Sequence, residues 1–226
     1  MTRPTITERA NRPLKGQVAI MFACSLLFLL AAAALGVDAV GAWMCDQKQE
    51  DALIAVRETV MGQENYIKYS DTNSAEPISS SAAALNAALG CLTDMYGEGT
   101  TSKDLEELGV KDAKVWAWEL PRSKTGPADR IIGVEVKLTG AFRTTFARTI
   151  GIDDIPITND IIFTVHPYSS QEVYGSRTNG DGWTTTAISS PHGLHDVGST
   201  RVDYDALPQE LRDALEKSAT EIERER

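Results

Sequence analysis

From Gly16 to Val37 the chain carries no charged side chain. A bilayer core of about 30 Å is crossed by about 20 apolar residues of helix, and this run supplies them. A charge at the bilayer centre costs about 2.5 kcal/mol or more. Asp38, the first acid after the run, is therefore expected at the far interface rather than in hydrocarbon. The chain up to residue 41 reads as a basic leader (1–16) followed by a transmembrane helix (17–41).

Arg3, Arg9, Arg12 and Lys15 precede the run against a single acid, Glu8. By the positive-inside bias this flank stays in the cytoplasm. The rest of the chain is then extracytoplasmic, held by one pass through the cytoplasmic membrane. A cleavable secretory signal has a shorter apolar region, about 7–15 residues, followed by a small-x-small site. The longer, Leu-rich run here continues into an amphipathic pattern, as an anchor does.

Beyond the anchor roughly 180 residues remain, enough for one domain with its own core. The formal net charge of −10 argues against a nucleic-acid partner, which needs a basic footprint. Cys24 falls inside the expected bilayer span. Cys45 and Cys91 fall outside, where disulfides persist, and a Cys45–Cys91 bridge is a candidate. No Cys/His cluster has the spacing of a zinc site, and no metal or cofactor is expected.

The anchor is expected to extend as a spine helix to Met61, roughly 68 Å in all, with a bend near Gly41 as the alternative. Leu53, Val56 and Val60 form its apolar face. Gln63 to Pro77 reads as a loop. Ser79–Ser81 offers an N-cap to an Ala-rich helix, 82–95, with Leu85, Leu89 and Leu92 on one face. A short helix about 103–108 follows, with Ser102 as its cap. Residues 115–120, 131–139 and 157–165 alternate as strands, with a Pro/Gly/Ser loop at 121–129 between the first two. Phe142, Phe146 and Ile150 recur every four residues, the spacing of a short amphipathic helix. Together these make an extracytoplasmic α+β domain over 42–168, its spine helix packed on a small sheet. Residues 169–206 read as a polar, loop-rich extension in which only 183–188 has strand character, at a sheet edge. A C-terminal amphipathic helix, 207–226, carries Leu211, Leu215 and Ile222 on one stripe.

Three segments stand out together: Gly16-Gln-Val-Ala-Ile-Met-Phe-Ala23, Leu35-Gly-Val-Asp38 leading into a polar-Ala continuation from Gln47 to Val56, and Phe142-Arg-Thr-Thr-Phe-Ala-Arg-Thr-Ile-Gly-Ile152 followed by Ile157–Val165. Their order and spacing resemble the TadG-like and TadE-like pilus-assembly proteins of the tight-adherence (Flp pilus) family. Met21 stands where prepilin-peptidase substrates usually carry Glu, a departure that favours the TadG-like branch. The resemblance implies a pilin-like fold and a possible leader-processing site at Gly16 and Gln17. It also implies partners among other pilus or pseudopilin subunits and the inner-membrane assembly platform.

Nothing in the chain reads as an enzyme. His192, His195 and Asp196 form an H-x-x-H-D cluster whose spacing could ligate metal on a helix, but Pro191 and Gly193 make it a loop, and it reads as solvated. Asn179-Gly-Asp-Gly182 lacks the alternating acids and closing Glu of a calcium loop and reads as a tight turn. No Gly-x-Ser-x-Gly frames Ser79–Ser81. The expectation is a membrane-anchored minor pseudopilin or assembly component of a Flp/Tad-type pilus, serving adhesion or secretion through protein contacts. The alternative is a single-pass extracytoplasmic adhesin or ligand-binding module using residues 169–204.

Overall fold

A computed structural model describes residues 15–64, 80–97, 99–120, 131–166 and 180–225. Most of the basic leader, the expected loop at 121–129, nearly all of that at 63–77 and the first part of the 169–206 extension lie outside the described residues. The fold is α+β, a long N-terminal apolar helix joined to an antiparallel sheet.

Helix α1 runs without a break from Lys15 to Glu64, about 75 Å at 1.5 Å per residue. It passes straight through Gly41. No proline interrupts it, and the small residues in its middle are tolerated by a helix held along one side. Its two halves differ in what they touch. Phe22, Leu27 and Leu29 are 70%, 66% and 63% exposed, so the first half is no core helix of the domain. From Asp38 onward one face goes under: Asp38, Cys45, Gln49, Ala52, Leu53, Val56 and Val60 are all buried. Steps of three, four and seven keep these residues on one stripe. The stripe includes the expected Leu53, Val56 and Val60.

Helix α2, Ser81–Tyr96, starts at Ser80, whose hydroxyl accepts the Ala83 N–H, one of the free donors of the first turn. Leu85, Leu89 and Leu92 are buried as expected. The helix runs antiparallel to α1, with Cys91 beside Thr59 and Tyr96 near Asp51. The short α3, Ser102–Glu107, is capped by Thr101 rather than Ser102, in a reciprocal box with Asp104.

The sheet holds β1 (Asp112–Glu119), β2 (Ile132–Arg143), β3 (Asp154–Val165), β4 (Asp181–Ser190), β5 (Gly193–Asp196) and β6 (Thr200–Arg201). Its order is β3-β2-β1-β4-β5, with β6 also on β4, and every pairing is antiparallel. On one face, Val115, Val134 and Val136 meet α1 and α2 in the main core. The C-terminal helix α4, Gln209–Glu225, covers the other face. There Leu211 and Leu215 pack with Trp118, Leu120 and Ile131. Gly133 makes room for them, since a Cβ at that position would lie 2.8 Å from the Leu215 side chain.

Three expectations are corrected here. The 183–188 strand is not an edge: β4 lies between β1 and β5, so part of the expected loop-rich extension is built into the sheet. Trp118 meets the Tyr204 ring at 5.7 Å, so part of that polar stretch supplies core contacts. The 142–150 helix is absent. Phe142 and Arg143 belong to β2, which pairs with β3 as far as Arg143–Asp154. Only Ala147–Ile150 turns, as a 3-10 helix. The strand ladder takes the backbone groups that a helix from 142 would have used.

The Cys45–Cys91 bridge is also absent. Both thiols are free. Cys45 donates to the Glu107 carbonyl at 3.2 Å, while the Cys91 sulfur lies 3.4 Å from the Thr59 hydroxyl. Thr59 is about 21 Å along α1 from Cys45 at the helical rise, far beyond the roughly 7 Å span of a disulfide. Helix α2 does pack on α1, but Cys91 meets it at the wrong height.

Candidate functional site: the junction of α1 with the β2–β3 turn

Asp38 is the most unusual residue in the structure. It is 2% exposed although it follows directly on the uncharged run. A buried carboxylate needs partners, and here they are three consecutive backbone N–H groups. Thr145 donates to Oδ1 at 2.9 Å; Phe146 and Ala147 donate to Oδ2 at 2.8 and 2.6 Å. These amides open the 3-10 turn Ala147–Ile150, whose own cap residue, Phe146, provides no side-chain acceptor. Asp38 therefore acts as a helix cap supplied from more than a hundred residues away. The positive end of the turn suits its negative charge.

The turn is closed from within. Thr144 donates its N–H to the Asp153 carbonyl at 3.0 Å, and its buried hydroxyl donates to the Ile152 carbonyl. Gly151 ends the 3-10 segment at φ +89°, a left-handed conformation that suits glycine. Arg148 and Asp153 pair across the turn at 3.3 Å in solvent.

Above Asp38 the same stripe of α1 continues the joint. The Phe142 ring lies where a Cβ on Gly41 would sit, 2.5 Å from that position. Gln49, fully buried, donates to the Gly109 carbonyl at 2.8 Å and faces the Asn159 amide at 3.3 Å. Asn159 also donates to the Asp46 carboxylate at 2.8 Å. Gly109 and Gly140 press backbone against backbone: a Cβ on Gly140 would fall 1.5 Å from the Gly109 oxygen. Asp38, Gly41, Cys45 and Gln49 thus seat the hairpin and the α3–β1 link on one line of the helix.

A cleft of about 750 Å³ beside the joint is lined by Lys103, Glu106, Lys111, Arg143, Arg148 and Asp153, among others. Its charges are mixed, and Arg143 pairs with Glu106 at 3.9 Å. Among the described residues no group of three or more His, Cys, Asp or Glu side chains is placed to hold a metal. His195 and Asp196 lie on β5 rather than in a loop, and Asp196 accepts from the Thr185 hydroxyl and the Gly198 N–H. Gly16 and Gln17 lie in the first turn of α1, at the far end from this joint.

The sequence separates the Leu35–Asp38 and Phe142–Ile152 segments by more than a hundred residues, and the structure brings them into direct contact. The roles of Gln49 and Asn159 were missed. A Gln at the buried phase of the α1 stripe, four residues from Leu53, was the available signal. The arrangement fastens an apolar helix to a sheet through three backbone N–H groups on one carboxylate. Comparison with protein-family models, with curated proteins and with solved structures finds no match to this chain.

Proposed function

We propose that this chain is a membrane-anchored, pilin-like assembly component of a Flp/Tad-type pilus or related secretion machine. It works through helix packing and protein contacts rather than catalysis. One observation carries the reading. The Leu35-Gly-Val-Asp38 and Phe142–Ile152 segments, on which the likeness to TadG-like and TadE-like proteins rests, are the two halves of one joint. Three hydrogen bonds of 2.6–2.9 Å link them. Helix α1 is long and apolar enough to cross a membrane, and none of its most apolar window is buried in the protein.

In this reading the bilayer holds α1 up to about Asp38, and the sheet domain stands outside the cytoplasm. A rigid joint at the bilayer exit transmits movements of the anchor within an assembly to the domain that meets partners. The alternative adhesin module would hold a ligand in 169–204; within that stretch Asp181–Ser190 and Gly193–Asp196 are strands of the sheet, which favours the assembly role. The test is affinity purification of the full-length protein from native membranes after mild cross-linking. Recovery of pilus subunits or inner-membrane platform proteins is expected. Their absence, with the bait intact and cross-linked to other proteins, would overturn the reading.

A further inference from the structure

We propose that the β2–β3 turn is a second membrane contact, with Phe146, Ile150 and Ile152 entering the interfacial zone of the bilayer that α1 crosses. The inference rests on the anchored reading above and adds a lipid-facing surface to it.

The turn exposes apolar side chains that the fold does not use. Ile150 is 66% exposed, Ile152 47% and Phe146 43%. Its height is set by the joint. Going down α1, Gln49 meets Gly109, Gly41 meets Phe142, and Asp38 meets Thr145 to Ala147. The hairpin therefore descends along the helix toward its apolar half, and the turn lies at the level where the uncharged run ends.

At that level α1 itself is apolar on its outer side. Val37, Val40, Trp43 and Met44 are 60%, 55%, 62% and 51% exposed. Trp is enriched where bilayer meets water. From Asp38 to Met44 the helix rises about 9 Å, within the roughly 5–10 Å depth at which interfacial apolar faces are buried. A zone of that thickness reaching Met44 also takes in the turn fastened to Asp38.

The turn's backbone suits a water-poor setting, where unpaired polar groups are costly. The N–H groups of Thr145, Phe146 and Ala147 donate to Asp38. Those of Thr149, Gly151 and Ile152 donate to carbonyls inside the turn. Arg148 keeps its guanidinium at the surface, in pair with Asp153, a position from which it can also reach lipid phosphates.

The occupant is the bilayer rather than a second copy of the chain, because the turn is fixed to the point where α1 leaves the membrane. The test places a benzophenone amino acid at Ile150 of the full-length protein and irradiates native membranes. Leu29, in the middle of the apolar run, serves as the reference position. A lipid-sized mass increase on the protein at both positions is expected. Lipid adducts at Leu29, with only protein–protein adducts or none at Ile150, would overturn this inference and leave the anchored reading standing. No lipid adduct at Leu29 would overturn both.

Discussion

The carboxylate of Asp38 accepts the N–H of Ala147 at 2.6 Å, joining the end of an uncharged helical run to a turn 109 residues later in the chain. Two neighbouring amides share the same carboxylate. Removing it strands three backbone donors at once. Asp38→Ala should loosen the turn, and Asp38→Asn, which keeps one acceptor oxygen, should do so less. Hydrogen exchange of the Thr145–Ala147 amides in the detergent-solubilised protein checks this. On the order of tenfold faster exchange is expected in Asp38→Ala, and an unchanged rate rules out the cap.

Glu135 lies under α4 with one carboxylate oxygen buried and unbonded. Burial first, then the charges of Asp160 and Glu210, push it up to about 7, with Lys137 acting in the opposite direction. An acid raised by folding binds more protons folded than unfolded. Its stability contribution is therefore fully present below its ordinary value of 4.5 and is lost as pH rises to about 7. Above that the curve flattens. Glu135→Gln should gain roughly 1–2 kcal/mol over the wild type at pH 8, with solvent screening holding it below the full shift. At pH 4 the two should be equal. Paired thermal melts at both values decide it; a gain of the same size at pH 4 would point to packing instead of charge.

Gly140→Ala puts a methyl group 1.5 Å from the Gly109 oxygen, and neither backbone can move without parting β2 from the α3–β1 link. A loss of roughly 2–4 kcal/mol is expected. Gly62→Ala, with nothing within 4 Å and a helical position, should instead gain up to about 1 kcal/mol. Denaturant or thermal unfolding of the two variants side by side tests the contrast.

Cys45 and Cys91 should both alkylate in denatured protein from native membranes without prior reductant. In the folded protein Cys45 should react more slowly than Cys91, because it is buried and burial pushes its thiol up, against the weaker pull of Lys48. Thiols that label only after reduction would restore a disulfide.

Leu29→Arg places a charge at the middle of the uncharged run, on a side chain 63% exposed. Its cost in a bilayer is about 2.5–3.5 kcal/mol. Carbonate extraction of membranes should find the variant in the soluble fraction, while the wild type stays with the membranes. Equal retention of both would argue against this segment as the anchor.

Local rules carried much of this fold. Helices and strands with a regular apolar period were readable because each turns one apolar face to the main core: Leu53, Val56 and Val60 on α1, Leu85, Leu89 and Leu92 on α2, Ile132, Val134, Val136 and Leu138 on β2. So was the point where α1 changes character, because charge begins there. The Phe142–Ile150 spacing misled because a period of four is not unique to helices; extended pairing of β2 with β3 outcompeted it. The polar composition of 183–188 concealed an interior strand, since Thr184 and Thr185 can satisfy their hydroxyls on Val115 and Asp196 and so need no solvent.

The sequence by itself determined where the chain is apolar enough to enter lipid and which faces of its helices and strands must be covered, because both depend on residues close together in the chain. Only the tertiary structure decided that Asp38 caps Ala147, that Gln49 and Asn159 share one joint, and that Cys45 and Cys91 stay apart. Those outcomes depend on the height at which separate elements meet along α1. That height is set by backbone contacts such as Gly109 on Gly140 and by the register of the β2–β3 hairpin, neither of which any local pattern of side chains encodes.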